Sequence, residues 1–300
     1  MSLADDIHTA PALPPQSPVV FPGAVQFDLA SQISGRTYRI FVAKPMLPPP
    51  TQGFPVVVTV DGNLTFPIAA ALNATFALGG RALMVGVGYP TDNPLELTLL
   101  RRRDLTGPTT LSAIPKMPGW PEPIQEDYGG ADRFHGFLAQ ELMPAIAGAW
   151  PADLADQTLY GHSMGGLFTL HALLNHPNSF RNFVASSPSI WWSDRQVLDA
   201  VPAFARRVET GAAQPRVLIT IGATEQDPPT TVPAGMTREA MEKLVADARM
   251  VTNAAELAAR LDAIKGGAGY LVRYRPLDED DHTTSLTTSI GRALAFALRP

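Results

Sequence analysis

The run Pro55-Val56-Val57-Val58-Thr59-Val60 carries no polar alternation. A strand with one wet face alternates, so a run that is apolar at nearly every position is covered on both faces. Leu83-Met84-Val85-Gly86-Val87 and Val217-Leu218-Ile219-Thr220-Ile221 repeat the pattern, and shorter runs stand at 158–160, 183–185 and 270–274. Helical periodicity fills the gaps at 66–78, 131–148, 165–175, 196–208, 237–263 and 284–297. Strands alternating with helices predict an α/β chain: a mostly parallel central sheet of about eight strands with helices on both faces. Ahead of them, alternating segments at 25–29 and 37–42 flank Ser34-Gly35-Arg36 and read as an antiparallel hairpin at a sheet edge.

Residues 1–23 are Pro-rich and aperiodic and are expected to form an extended arm. The β-α pattern then runs on without a break, so 24–300 is expected to be a single domain. Segment 89–128 is too long for a routine connection and is expected to be a cap-like loop. It follows a strand, and in open α/β sheets ligands bind at the carboxyl ends of strands. The chain of 300 residues is 45% hydrophobic, enough for a sizeable core, and its net charge of −5 gives no footprint for nucleic acid or an anionic membrane. With no cysteine there is no disulfide, thiolate metal site or thiol nucleophile. No basic-then-apolar leader opens the sequence and no run of transmembrane length occurs, so a cytoplasmic location is expected.

Gly161-His162-Ser163-Met164-Gly165-Gly166 lies where the strand at 158–160 gives way to the helix at 165–175. Gly-x-Ser-x-Gly alone turns up by chance in about one chain in ten of this length. Its weight comes from the strand before and the helix after, which let a sharp turn project the hydroxyl above the sheet. Ser163 is therefore the candidate nucleophile, against the plainer reading of a turn serine. It needs a base. Of six histidines, His8 falls in the arm, His135 in a helix, and His171 and His176 with the helix after the motif; His162 is expected to point away from its neighbour. His282 follows the last strand and precedes the last helix, on the same sheet edge as Ser163. An acid between serine and histidine in chain order is Glu225, after the strand ending at Ile221; Asp227 is the alternative, and Asp278, Asp280 and Asp281 remain open. Oxyanion donors are expected from the backbone N–H of Met164 and of Asn63 or Gly62.

Those residues resemble the esterases of the α/β-hydrolase superfamily, and within them the ferric-siderophore (enterobactin, salmochelin, bacillibactin) esterases. The likeness rests on Val60-Asp61-Gly62-Asn63, Arg101-Arg102-Arg103-Asp104-Leu105-Thr106, Gly129-Gly130-Ala131-Asp132-Arg133-Phe134, Glu141-Leu142-Met143-Pro144, the serine motif, and Ser187-Pro188-Ser189-Ile190-Trp191-Trp192. It spans roughly 25–298 and implies the α/β-hydrolase fold and ester hydrolysis. Ser163 matches the family's nucleophile, His282 its histidine, and Glu225 the place where many members carry an acid; some members work with a Ser–His dyad. The resemblance also implies that Arg101, Arg102 and Arg103 face an anionic substrate such as a ferric catecholate, and that Trp191 or Trp192 stacks on an aromatic group; a solvated basic stretch and core packing are the competing readings.

The function expected is a serine carboxylic-ester hydrolase acting through an acyl-enzyme on a small-molecule, siderophore-type or aromatic ester, with no metal and no organic cofactor. The alternatives are an acyltransferase of the same fold and a non-catalytic ligand binder.

Overall fold

The computed structural model describes residues 15–76, 80–114, 124–229, 231–232 and 235–298. Most of the expected arm, with His8, and the proline-rich stretch 116–123 lie outside the described residues. Eight strands form one sheet: β1 (Ala24–Ala30), β2 (Thr37–Ala43), β3 (Phe54–Val60), β4 (Leu83–Gly88), β5 (Ala152–His162), β6 (Asn182–Ser186), β7 (Arg216–Gly222) and β8 (Leu271–Leu277). Their order is β1-β2-β4-β3-β5-β6-β7-β8. β1 and β2 pair antiparallel, as does β2 with β4, and every other pairing is parallel. The edge hairpin and the non-alternating runs are thus where the sequence puts them.

From β3 the chain moves outward to β4, then returns to lay β5 on β3's other side, Thr59 opposite Tyr160. The strand order reverses at that β3/β5 boundary. Two connections leave it in opposite directions, which opens a crevice at the carboxyl ends of the two strands. Asp61 and Ser163 are the residues that follow those ends.

Helices cover both faces. On one side α1 (Gly62–Thr75) and α9 (Ser285–Ala297) bury Phe66, Ala69, Ile290 and Leu294 against Met84, Tyr160 and Leu218. On the other, α3 (Ala131–Gly136), α4 (Met143–Ala149), α5 (Met164–Asn175), α6 (Val201–Glu209) and α8 (Met250–Asp262) bring Phe134, Ile146, Phe168, Phe204 and Leu257 onto Val58, Leu159 and Ile219. Among the described residues no helix is long and apolar enough to cross a membrane.

The structure departs from the sequence reading in three places. Segment 89–128 is not simply a loop: it contains α2 (Pro94–Leu105). Its start is chemically marked, because the Asn93 side chain accepts from Leu95 N (3.0 Å) and Glu96 N (3.3 Å) and Pro94 takes the first helical position. What hid it is a run of leucines and arginines with no clean apolar stripe. The helix expected over 237–263 is two, α7 (Arg238–Ala248) and α8, because Arg249 takes φ 44° and ψ 43° between them. The helix expected from 196 begins as a tight turn at Trp192–Ala200, in which Ser193, Asp194 and Arg195 have positive φ.

Gly161 closes β5 where a Cβ would stand 2.1 Å from the carbonyl oxygen of Gly165. Neither the strand nor the helix can retreat, since both are packed on two sides. Gly161→Ala should therefore cost about 2–4 kcal/mol of stability, read from urea unfolding midpoints. Gly148→Ala, in α4 with nothing within 4 Å of the added methyl, should be neutral or stabilising by up to about 1 kcal/mol.

Candidate active site

β5 ends in Gly161-His162, α5 starts at Met164, and Ser163 alone makes the turn with φ 59° and ψ −117°. That backbone conformation is one an L-residue rarely takes. It is held from both sides: Ser163 N donates to Ser186 O (2.9 Å), and Ser163 O accepts from Leu167 N (2.9 Å) and Ser189 N (3.1 Å). The hydroxyl is left above the sheet edge at the start of a helix, where backbone N–H groups lack helical partners.

Ser163 Oγ lies 2.9 Å from His282 Nε2, and His282 Nδ1 lies 2.6 Å from Glu225 Oε2. The carboxylate beside Nδ1 selects the tautomer that carries its proton there. Nε2 is then bare and accepts from the serine hydroxyl. Glu225 is fixed in turn: its side chain is 1% exposed, and Oε1 accepts from Gly222 N (2.8 Å) and from the Ser187 hydroxyl. Ser285 Oγ joins Ser187 Oγ at 3.0 Å and so completes the cradle. Asp227 and Asp278 stay exposed, Asp280 meets Thr224 through its backbone carbonyl, and Asp281 Oδ1 accepts from Thr283 N and Thr284 N, both at 2.8 Å. Asp281 thereby shapes the loop that carries His282. That loop reaches Ser163 because β7 ends in a glycine: a Cβ on Gly222 would meet Asp280 O at 2.6 Å.

The serine opens into a pocket of roughly 410 Å³. Leu64, Leu97, Leu286 and Tyr89 give it apolar walls, and Arg101 and Asp61 give it one ion pair. That pair is bidentate, Nε to Oδ1 at 2.9 Å and Nη2 to Oδ2 at 2.8 Å. Asn63 also lines the pocket, its side chain clasped by Tyr89 N (2.8 Å) and Tyr89 O (2.9 Å). Gly62 does not; it packs on the Val87 backbone, where a Cβ would sit at 2.7 Å. Met164 is buried at the first position of α5.

The arginine triplet is not brought together. On α2 consecutive side chains leave the axis about 100° apart. Arg101 reaches the pocket, Arg102 is buried beside the Tyr128 phenol, and Arg103 donates to the Glu126 carbonyl in a separate hollow. The tryptophans do not line the serine pocket either: their rings meet edge to face at 6.0 Å, and Trp192 is buried against Tyr128. Sequence reasoning missed Ser187 and Ser285 as partners of Glu225, and it misplaced His162, which lines the pocket with its ring 4.9 Å from that of His282. Ser189, whose Oγ is 3.4 Å from that of Ser163, was visible only within the Ser-Pro-Ser motif. Among the described residues, the group of His and carboxylate side chains with ligand spacing is Asp132, His171 and His176, at the far end of α5.

A family model described as "Putative esterase" matches residues 115–270. The chain is 32% identical over 291 residues to the ferri-bacillibactin esterase BesA of Bacillus subtilis, covering 93% of this chain and 91% of that one. It is 33% identical over 293 residues to the siderophore triacetylfusarinine C esterase of Aspergillus fumigatus, covering 93% and 94%. The chain belongs to this esterase family. Its fold is shared with the BES protein from Bacillus cereus, TM-score 0.78 at 28% identity over 95% of this chain and all of that one. The siderophore hydrolase EstB from Aspergillus nidulans superposes with TM-score 0.77 at 29% identity, covering 94% and 97%. The protein is thus an α/β-hydrolase-type esterase.

Burial of His162 at the end of β5, with the neighbouring His282 and then Arg101 adding to it, pushes its pKa down to about 3. Its folded pKa lies below the unfolded value near 6.5, so the unfolded chain binds the extra proton. Stability is full above about pH 6.5 and falls as pH drops toward 3. This ring should contribute about 2–4 kcal/mol of that loss. His162→Asn should flatten the pH dependence of the urea midpoint between pH 6.5 and 4 by a comparable amount.

Proposed function

We propose that this esterase hydrolyses siderophore-type carboxylic esters through an acyl-enzyme on Ser163. The observation that carries the reading is the unbroken hydrogen-bond chain from Ser163 Oγ through His282 to Glu225. Ser163 Oγ attacks the ester carbonyl while His282 Nε2 takes its proton, and Glu225 holds the imidazolium that forms. The carbonyl oxygen gains charge and is received by backbone N–H groups of Met164 and Asn63. His282 returns the proton to the leaving alcohol. Water then attacks the acyl carbon, loses a proton to His282, and the acid departs as Ser163 recovers its hydrogen. No step calls for a metal or a cofactor.

The substrate class follows from the kinship with proteins named for bacillibactin and triacetylfusarinine C. The pocket is compatible with it: apolar walls suit the body of an ester, and Arg101 offers a cation that a ligand's anionic group can share with Asp61. Arg101 is the one member of the triplet retained here as a substrate contact.

Ser163→Ala should lower kcat/KM for ferric bacillibactin, triacetylfusarinine C and p-nitrophenyl acetate by about 10³-fold or more. Glu225→Gln should lose about 10²–10⁴-fold, since the amide lets the imidazole take the wrong tautomer. A fluorophosphonate should add one mass adduct to the wild type and none to Ser163→Ala. Equal hydrolysis by wild type and Ser163→Ala would sink the mechanism. A kcat/KM for p-nitrophenyl acetate above that for both siderophore esters would sink the substrate class alone.

A further inference from the structure

At the opposite end of α5 from Ser163, two imidazoles converge on one carboxylate oxygen. Asp132 Oδ1 lies 2.8 Å from His171 Nε2 and 3.3 Å from His176 Nε2, and the three potential ligand atoms all fall within 4.8 Å of one another. His171 is on α5; His176 is its C-cap at φ −130° and ψ 54°; Asp132 is in the first turn of α3. The five-residue step between the histidines would splay them on a continuous helix. Here α5 stops at Asn175, and the cap brings the second ring back beside the first. We propose that Asp132, His171 and His176 bind a divalent transition-metal cation of the zinc class, clamping α3 to the C-terminal end of α5.

The donor set points to that class. Two imidazole nitrogens and one carboxylate oxygen suit zinc or its first-row neighbours, whereas calcium and magnesium prefer all-oxygen shells. Three protein ligands leave a fourth tetrahedral position to water. The surroundings also hold one ligand ring in place. The His176 ring stacks at 4.0 Å and 10° on the buried His135 ring, which fixes its plane. Binding replaces the two N–H···O contacts with two N–metal bonds. Each ring then carries its proton on Nδ1.

The site takes no part in the ester reaction. Along the helix axis its two histidines lie about 12 and 20 Å from Ser163. The clamp acts on stability, and it stands or falls independently of the proposed hydrolysis.

The test is equilibrium dialysis and calorimetry of the tag-free, EDTA-stripped full chain with Zn²⁺, alongside Asp132→Asn, His171→Ala, His176→Ala and His282→Ala. The expected result is one Zn²⁺ per chain, bound at about 10 μM or tighter. Each of the first three substitutions should weaken it by about 10- to 100-fold. His282→Ala should bind as the wild type does. Zn²⁺ should raise the wild-type Tm and leave that of Asp132→Asn unmoved, and Co²⁺ should give the intense visible bands of a tetrahedral site that His176→Ala loses. Circular dichroism identifies any variant that fails to fold, and the conservative Asp132→Asn then carries the comparison. No binding by the wild type up to about 1 mM, unchanged binding in the Asp132, His171 and His176 variants, or loss only in His282→Ala would each overturn the proposal.

Discussion

β5 and α5 meet with no connecting loop, and a single residue absorbs the reversal. A non-glycine residue at φ 59° and ψ −117° costs about 1–3 kcal/mol. That cost is met by three backbone hydrogen bonds at Ser163, by the packing of β5 between both layers and by that of α5 within one of them. Because the turn cannot relax, the hydroxyl cannot turn back into the helix cap. It is presented where β3 and β5 diverge, and every other part of the site is arranged around that fixed oxygen.

The arrangement is graded from sealed to exposed. Glu225 is sealed and held by the Gly222 backbone and by Ser187, itself at φ 42°. His282 is half exposed on a loop folded by Asp281 and Gly222. In the proposed mechanism the proton travels outward, toward the wetter residue, while the stabilising charge stays inside. His162, kept neutral by its own burial, adds no second cation beside an imidazole that must become one.

Much of this was legible in the sequence because the physics is local. Non-alternating runs such as 55–60 report burial on both faces, and all eight strands lie where such runs or the alternating pair placed them. The serine motif, His282 and Glu225 each sit at a strand end, a position that topology alone carries to one edge. The misses are contacts that depend on where side chains point. Sequence proximity made the arginines look like a patch, although a helix sends neighbours in different directions. Ser187 and Ser285 are ordinary serines until a distant carboxylate is buried between them. The α2 start was written in Asn93-Pro94, but a loop's length outweighed its cap.

α2 distributes its three guanidinium groups among an ester-sized hollow, the protein interior and a third, outer recess. Its register is therefore shared by three neighbourhoods that have no other reason to change together. One residue inserted or deleted near Pro94 would rotate all three charges into the wrong compartment at once. Each compartment can be altered singly only by replacing the arginine that serves it.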